Sequence, residues 1–291
     1  MNVYHFNNPV NDPNDFVNGS ILLLGEFEFF HQGHYQLFLQ AKNNNQNKNH
    51  LIGIFILDQK QKQFCQSLND RLETLAAIGF DFAVVAQFDV KFKNTDGKDF
   101  INQLLTNYNV KNFICGSDFY FGKDRLFHAQ QISSVINDLA TVDVCELKQY
   151  QEQKIASRHI KQMYQFGEFH LLKELLMEPL LISIELENQV IIWNENLLKP
   201  HPGIYYFEIL IEQYWYHGII HFSMDQKIYF ELVNANKDLN IFNQTSQIKL
   251  LDLSRIIINK RFDQIKESDL INAQKFFLVD GEDNENQINL D

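Results

Sequence analysis

From residue 20 to about residue 147, short apolar runs alternate with amphipathic stretches, and this alternation constrains the fold more than any other feature of the chain. The runs ILLL (21–24), LIGIFIL (51–57), FAVVAQF (82–88), NFICG (112–116) and TVDVCEL (141–147) read as strands. Between them Ser67 caps LNDRLETLAAIGF, and Thr95 or Asp96 starts GKDFINQLLTNY, each with the spacing of one buried helical face. Repeated strand and helix units predict a doubly wound parallel α/β sheet.

The remainder divides around Pro179. NNNQNKNH (43–50) is polar and aperiodic and reads as a solvated loop, while SRHIKQMYQFGEFHLLKELL carries a helical pattern from 157 to 176 with an interruption near Gly167. Beyond Pro179 the texture changes to LLISIEL, QVIIW, GIYYFEILIE, YWYHGIIHF, KIYFELV and IKLLDLSRIII, short runs rich in aromatic and β-branched residues. These predict an antiparallel sheet or small barrel. The expected division is therefore an α/β domain over 1–179 and a smaller antiparallel β-barrel domain over 180–291, ending in the helix ESDLINAQKFFLV and a frayed acidic tail.

Composition removes several classes. A chain of 291 residues can bury a sizeable core, but 25 basic against 37 acidic residues suit a nucleic-acid backbone poorly. Three widely spaced cysteines among apolar neighbours read as reduced thiols, and no run approaches the length of a membrane span. A cytoplasmic protein is expected, with no nucleic acid and no membrane partner; oligomeric state is not legible.

In a parallel sheet, ligands collect at the carboxyl ends of strands, where the next helix points its N-terminal N–H groups into the crevice. GEFEFFHQGH (25–34) falls there in the first unit. His31 and His34, three apart, share one face of a helical turn and could both meet a phosphate, and Gly33 leaves the backbone room to approach it. Imidazoles there would stabilise the charge that grows on phosphorus during displacement.

With these residues the chain resembles the HIGH-type nucleotidyltransferases, and among them the prokaryotic bifunctional riboflavin kinase/FAD synthetases. Their signature GNFDGxHxGH is matched by Gly25, Phe27, His31, Gly33 and His34, with Glu26 and Glu28 in place of Asn and Asp, and Phe29 in place of Gly. VKNFICGSDFYFGKDR (110–125) is similar to the family's VGxDFxFGxxR segment through Gly116, Asp118, Phe119, Phe121, Gly122 and Arg125. KIASRHIKQMYQFGEFHLLKELLMEP (154–179) is similar to its ISSTRIR segment and paired helices, with Arg158-His159 where the family has Thr-Arg.

The resemblance implies a nucleotidyltransferase domain of Rossmann-like form that joins ATP and FMN into FAD, with Mg²⁺, and a barrel resembling riboflavin kinase. His31 and His34 would be catalytic. Gly25, Phe27, Glu28, Gly33, Gly116, Asp118, Ser157, Arg158 and Lys161 would bind the nucleotide, with Ser157 and Arg158 or Lys161 steadying pyrophosphate. Phe119, Phe121, Gly122 and Arg125 would bind flavin, the two rings flanking its flat system. No metal ligand is assigned, Glu28 being the carboxylate nearest in sequence. Phe29 would crowd the nucleotide. In the barrel Glu231 falls at the kinase base, but no counterpart of GxxLGFPTAN lies between Pro179 and Pro202, so the kinase is expected to be inactive. Two other readings of the same residues are a non-catalytic flavin- or nucleotide-binding relative and a fully bifunctional enzyme.

Overall fold

The computed structural model describes residues 1–8, 13–59, 62–146, 149–150, 153–188, 190–233 and 243–288. The chain forms two units, one from residues 1–62, 71–157 and 175–178, the other from 63–70, 158–174 and 179–291.

The first unit holds strands β1 (Asn2–His5), β2 (Ser20–Leu24), β3 (Leu51–Asp58), β4 (Phe82–Gln87) and β5 (Val110–Gly116). A short antiparallel ribbon, β6 (Tyr120–Phe121) and β7 (Phe127–His128), leads on to β8 (Thr141–Cys145) and the hairpin β9 (Gln149–Tyr150) and β10 (Gln153–Lys154). The main sheet runs β1-β4-β3-β2-β5-β8 and is parallel throughout. Helices α1 (Gln32–Asn44), α2 (Leu68–Ile78), α3 (Val90–Lys93), α4 (Gly97–Asn107) and α5 (Ile132–Ile136) follow its strands. All five predicted strands of this unit are present, residue 147 of the last lying outside the described residues.

Central β2 has Ile21 to Leu24 wholly removed from solvent, which stabilises the sheet by about 2 kcal/mol for each side chain. The edge strand β1 escapes sequence reading because NVYH is mostly exposed and carries no apolar run. The predicted caps form: Ser67 Oγ accepts from Asp70 N–H at 3.1 Å while Asp70 accepts from Ser67 N–H, and Asp96 accepts from Lys98 N–H at 2.8 Å. The polar stretch at 43–50 is a loop only from Asn45 onward, where the Asn45 side chain pairs with both backbone groups of His50.

The second unit carries all but the first residue of α6 (Ser157–Phe166) and all but the last of α7 (Phe169–Leu175), broken where Gly167 takes φ +78°. Its antiparallel strands are β11 (Ile182–Glu187), β12 (Val190–Ile192), β13 (Gly203–Ile211), β14 (Tyr214–Phe222), β15 (Ile228–Leu232) and β16 (Gln244–Ile256). Their order is β12-β11-β16-β13-β14-β15, and β12 also approaches β15, so the sheet nearly closes into a barrel. Tyr205, Phe207, Ile209 and Ile211 of β13 alternate into its core.

Helix α8 (Glu267–Ile288) continues past the point where fraying was expected, residues 289–291 of that tail lying outside the described residues. It is anchored by Asp269, which accepts Arg255 Nε at 3.1 Å and Nη2 at 2.8 Å and the Lys266 N–H at 2.9 Å. Burial alone would raise the Asp269 carboxyl, but Arg255 and the Lys266 N–H outweigh it and hold it below the usual value. A depressed carboxylate contributes stability above its unfolded pKa and loses it as pH falls through the folded one. Asp269→Asn should destabilise this unit by about 2 kcal/mol at neutral pH, with a smaller penalty in acid, measurable as the difference in denaturant midpoints between the two pH values. Among the described residues no helix is long and apolar enough to cross a membrane.

Candidate active site

Strand β2 sits between β3 and β5, so the chain winds outward from it in both directions and the sheet opens a crevice at its carboxyl end. A cavity of about 670 Å³ occupies that crevice, lined entirely by residues of the first unit. One wall is the stretch from Leu24 to α1. Phe29 and Phe30 are buried, and Met177 N–H donates to the Phe30 carbonyl at 3.1 Å, pinning this connection. Contrary to expectation, the Phe29 ring is not among the residues that line the cavity; at 2% exposure it belongs to the core.

Both histidines reach the cavity, and main-chain groups orient them. His31 is the N-cap of α1, its Nδ1 accepting the His34 N–H at 3.3 Å. His34 Nδ1 lies 2.7 Å from the Phe29 carbonyl. A carbonyl can only accept and an N–H can only donate, so in their neutral forms His34 carries its proton on Nδ1 and His31 on Nε2. The rings stack at 3.7 Å with 18° between planes, and Phe27 meets His34 edge-on at 4.8 Å.

The opposite wall comes from the end of β5 and the β6–β7 ribbon, with Gly116, Asp118, Phe119, Phe121, Gly122 and Arg125 all lining the cavity. Phe119 and Phe121 stack on each other at 5.6 Å and 13°. A flat ring between them would need about 7 Å, so they cannot flank one. Half-exposed Phe119 is available to a ligand, while Phe121 is buried against Phe100. The Arg125 guanidinium lies over Tyr120 at 5.5 Å. Gly122 adopts φ +74° and ψ 179°, and a Cβ there would stand 2.7 Å from the backbone of Gly97. Ser157 completes the predicted set on the cavity lining.

Five predicted residues are not on that lining. Gly33 is buried in α1. Glu28 is 3% exposed and forms an ion pair with Lys62 at 3.0 Å, while Lys62 also pairs with Glu26 at 2.5 Å. Burial pulls the Lys62 ammonium down, but the two carboxylates prevail and raise it. Buried Arg71 is lowered by burial against the opposing charges of Asp58 and Glu28. Arg158 is exposed in the second unit; there Lys161 Nζ donates to the Gln63 carbonyl at 2.5 Å. Glu231 is an exposed residue of β15 in the same unit. Among the described residues no group of three or more His, Cys, Asp or Glu is arranged to hold a metal ion.

Sequence reading missed a further part of the lining. Phe88, Phe92, Lys93 and Thr95 come after β4, and Phe55, Leu57 and Gln59 belong to β3 or its end. The rule that selected the end of β2 applies equally to FAVVAQF and LIGIFIL, and would have found them.

The chain is similar to several known proteins. The family model described as FAD synthetase matches residues 14–159. The bifunctional riboflavin kinase/FMN adenylyltransferase of Bacillus subtilis is 23% identical, over 92% of this chain and 93% of that protein. A Listeria monocytogenes protein named FAD synthetase is 24% identical, over 81% of this chain and 96% of its own. Among solved structures, a Streptococcus pneumoniae protein titled a macrolide-efflux protein superposes with a TM-score of 0.78 at 18% identity, covering all of both chains, and shows the same fold.

Proposed function

The chain belongs to the FAD synthetase family, and from that premise we propose that its first unit transfers AMP from ATP to FMN, giving FAD and pyrophosphate. The observation that carries this reading is the stacked His31–His34 pair at the N-terminus of α1, inside the cavity at the sheet's switch point. An FMN phosphate oxygen attacks the α-phosphorus of ATP in line, forming one P–O bond as the bond to the bridging α–β oxygen breaks. His31 donates from Nε2 to the charge that accumulates on the phosphoryl oxygens. His34, with Nδ1 committed to the Phe29 carbonyl, becomes a second donor at Nε2 when protonated.

The aromatic and apolar wall formed by Phe55, Phe88, Phe92 and Phe119 suits the flavin ring system. Ser157 at the start of α6 suits the leaving pyrophosphate. Magnesium would enter bound to the triphosphate, held by phosphate oxygens and water with one or two protein carboxylates at most. Asp118 and Asp124 are the cavity-wall carboxylates that suit this, whereas Glu26 and Glu28 are both engaged by Lys62. The transfer steps assigned to the histidines require no metal held by the protein alone.

For the second unit we propose a silent riboflavin kinase barrel. The segment between Pro179 and Pro202 has no counterpart of the family's GxxLGFPTAN, which leaves nothing in the sequence to hold a metal-bound triphosphate there. That the Listeria relative is named FAD synthetase alone, although its match covers more of this chain than the first unit does, supports the reading. The cytoplasm, where ATP is available and the three thiols stay reduced, is the compartment that suits the protein.

One experiment tests both proposals. Purified protein is given ATP, Mg²⁺ and either FMN or riboflavin, and FAD, FMN and pyrophosphate are measured separately. FAD with matching pyrophosphate is expected from FMN, and no FMN from riboflavin. Binding of ATP and FMN without pyrophosphate release would replace the transferase with a binding protein, and FMN made from riboflavin would restore the kinase.

A further inference from the structure

A cavity that takes ATP must admit several negative charges, and each carboxylate on its wall opposes that. Glu26 is such a carboxylate: it lines the cavity, and its side chain is 56% exposed. Where the family signature places Asn and Asp with one residue between them, this chain has Glu26 and Glu28, which adds a negative charge. Lys62, distant in sequence, meets both. Its Nζ is 2.5 Å from Glu26 Oε1 and 3.0 Å from Glu28 Oε2, so the trio carries the single net negative charge that Asn and Asp would carry. Glu28 also faces the charge of buried Arg71, which Asp58 opposes in turn. Of the two carboxylates that Lys62 bridges, Glu26 is the one on the cavity wall.

Given the adenylyltransferase reading on which it rests, we propose that Lys62 is a positioning residue for ATP: by bridging Glu26 and Glu28 it cancels the charge Glu26 brings to the cavity wall and lets the triphosphate approach His31 and His34. The role is electrostatic. Removing Lys62 should therefore weaken the nucleotide complex, and removing the charge of Glu26 as well should restore it.

An ATP analogue with a methylene group in place of the α–β bridging oxygen binds without being cleaved at the bond that adenylyl transfer breaks. Calorimetric titration of it with Mg²⁺ thus reads affinity apart from turnover. At low ionic strength Lys62→Met is expected to weaken binding about tenfold, and the difference should shrink toward about twofold near 0.5 M salt as the charges are screened. The double variant E26Q/K62M should return to within about twofold of the wild type, and Glu26→Gln alone should bind more tightly than the wild type. Unchanged affinity in Lys62→Met, a double variant as weak as Lys62→Met, or weaker binding by Glu26→Gln would each overturn the role of Lys62. A wild-type protein that does not bind the analogue would overturn the nucleotide reading itself, and this inference with it.

Discussion

Replacing His31 and His34 together by alanine is expected to slow FAD formation about a thousandfold or more while the protein stays folded. Loss of one preorganised donor to a developing oxyanion costs on the order of 10² to 10³ in rate, and this change removes the His31 donor together with the second one that His34 supplies when protonated. A side effect must be separated from the chemistry, because His31 also caps α1. Its loss costs about 1 kcal/mol of stability. His31→Asn separates the two roles: the asparagine oxygen can still cap the helix, but it does not reproduce the imidazole Nε2–H. Single-turnover rates should fall in His31→Asn nearly as far as in His31→Ala, while thermal midpoints should fall only in the latter. Equal turnover in the double alanine variant and the wild type would remove both histidines from the mechanism.

A second large effect is expected from Gly122→Ala. The backbone at Gly122 (φ +74°, ψ 179°) lies in a region essentially reserved for glycine, and the added methyl would meet the Gly97 backbone at 2.7 Å. The neighbouring Asp124 and Arg125 also adopt positive φ, at 53° and 56°, so the connection has little freedom left to absorb the change. The first unit should lose about 3 kcal/mol. Because Gly122 joins β6 to the loop carrying Arg125, FMN should bind at least about tenfold more weakly, while the ATP analogue, whose histidine wall is separate, should lose far less. Fluorescence titration of FMN and calorimetry of the analogue read the two arms. Equal losses for both ligands would mean that the ribbon supports the whole cavity rather than the flavin side.

The parts of this molecule legible in sequence are those in which neighbouring residues determine the outcome. Ile21 to Leu24 form a buried strand because they are a continuous apolar run, and His31 caps a helix because its ring can reach an amide only three residues along. The parts that were not legible depend on partners far along the chain. Lys62 gives no hint in QKQKQF that it will bridge Glu26 and Glu28. Phe29, judged from its place in the motif, should crowd the nucleotide; its burial is decided by the core packed behind it. Phe119 and Phe121, two apart in the motif, suggest the two sides of a slot, yet the fold stacks one ring on the other, burying Phe121 in the core and leaving Phe119 half-exposed. Strand β1 completes the sheet with side chains that are exposed except for Tyr4, which packs on the core, and an edge strand needs no apolar signature.

The way the two histidines are held bears on how freely the surrounding sequence can drift. Each Nδ1 is engaged by the main chain, one by an amide N–H and the other by a carbonyl, so peptide groups fix which nitrogen carries the proton. A residue can change identity without altering the carbonyl or amide it contributes. Phenylalanine can therefore stand at position 29 in place of glycine, and glutamates at 26 and 28, while the imidazoles keep their tautomers. Redesign of acceptor preference can begin with the side chains of this same stretch, since the geometry of the proposed catalytic pair is written in peptide groups that every residue except proline supplies.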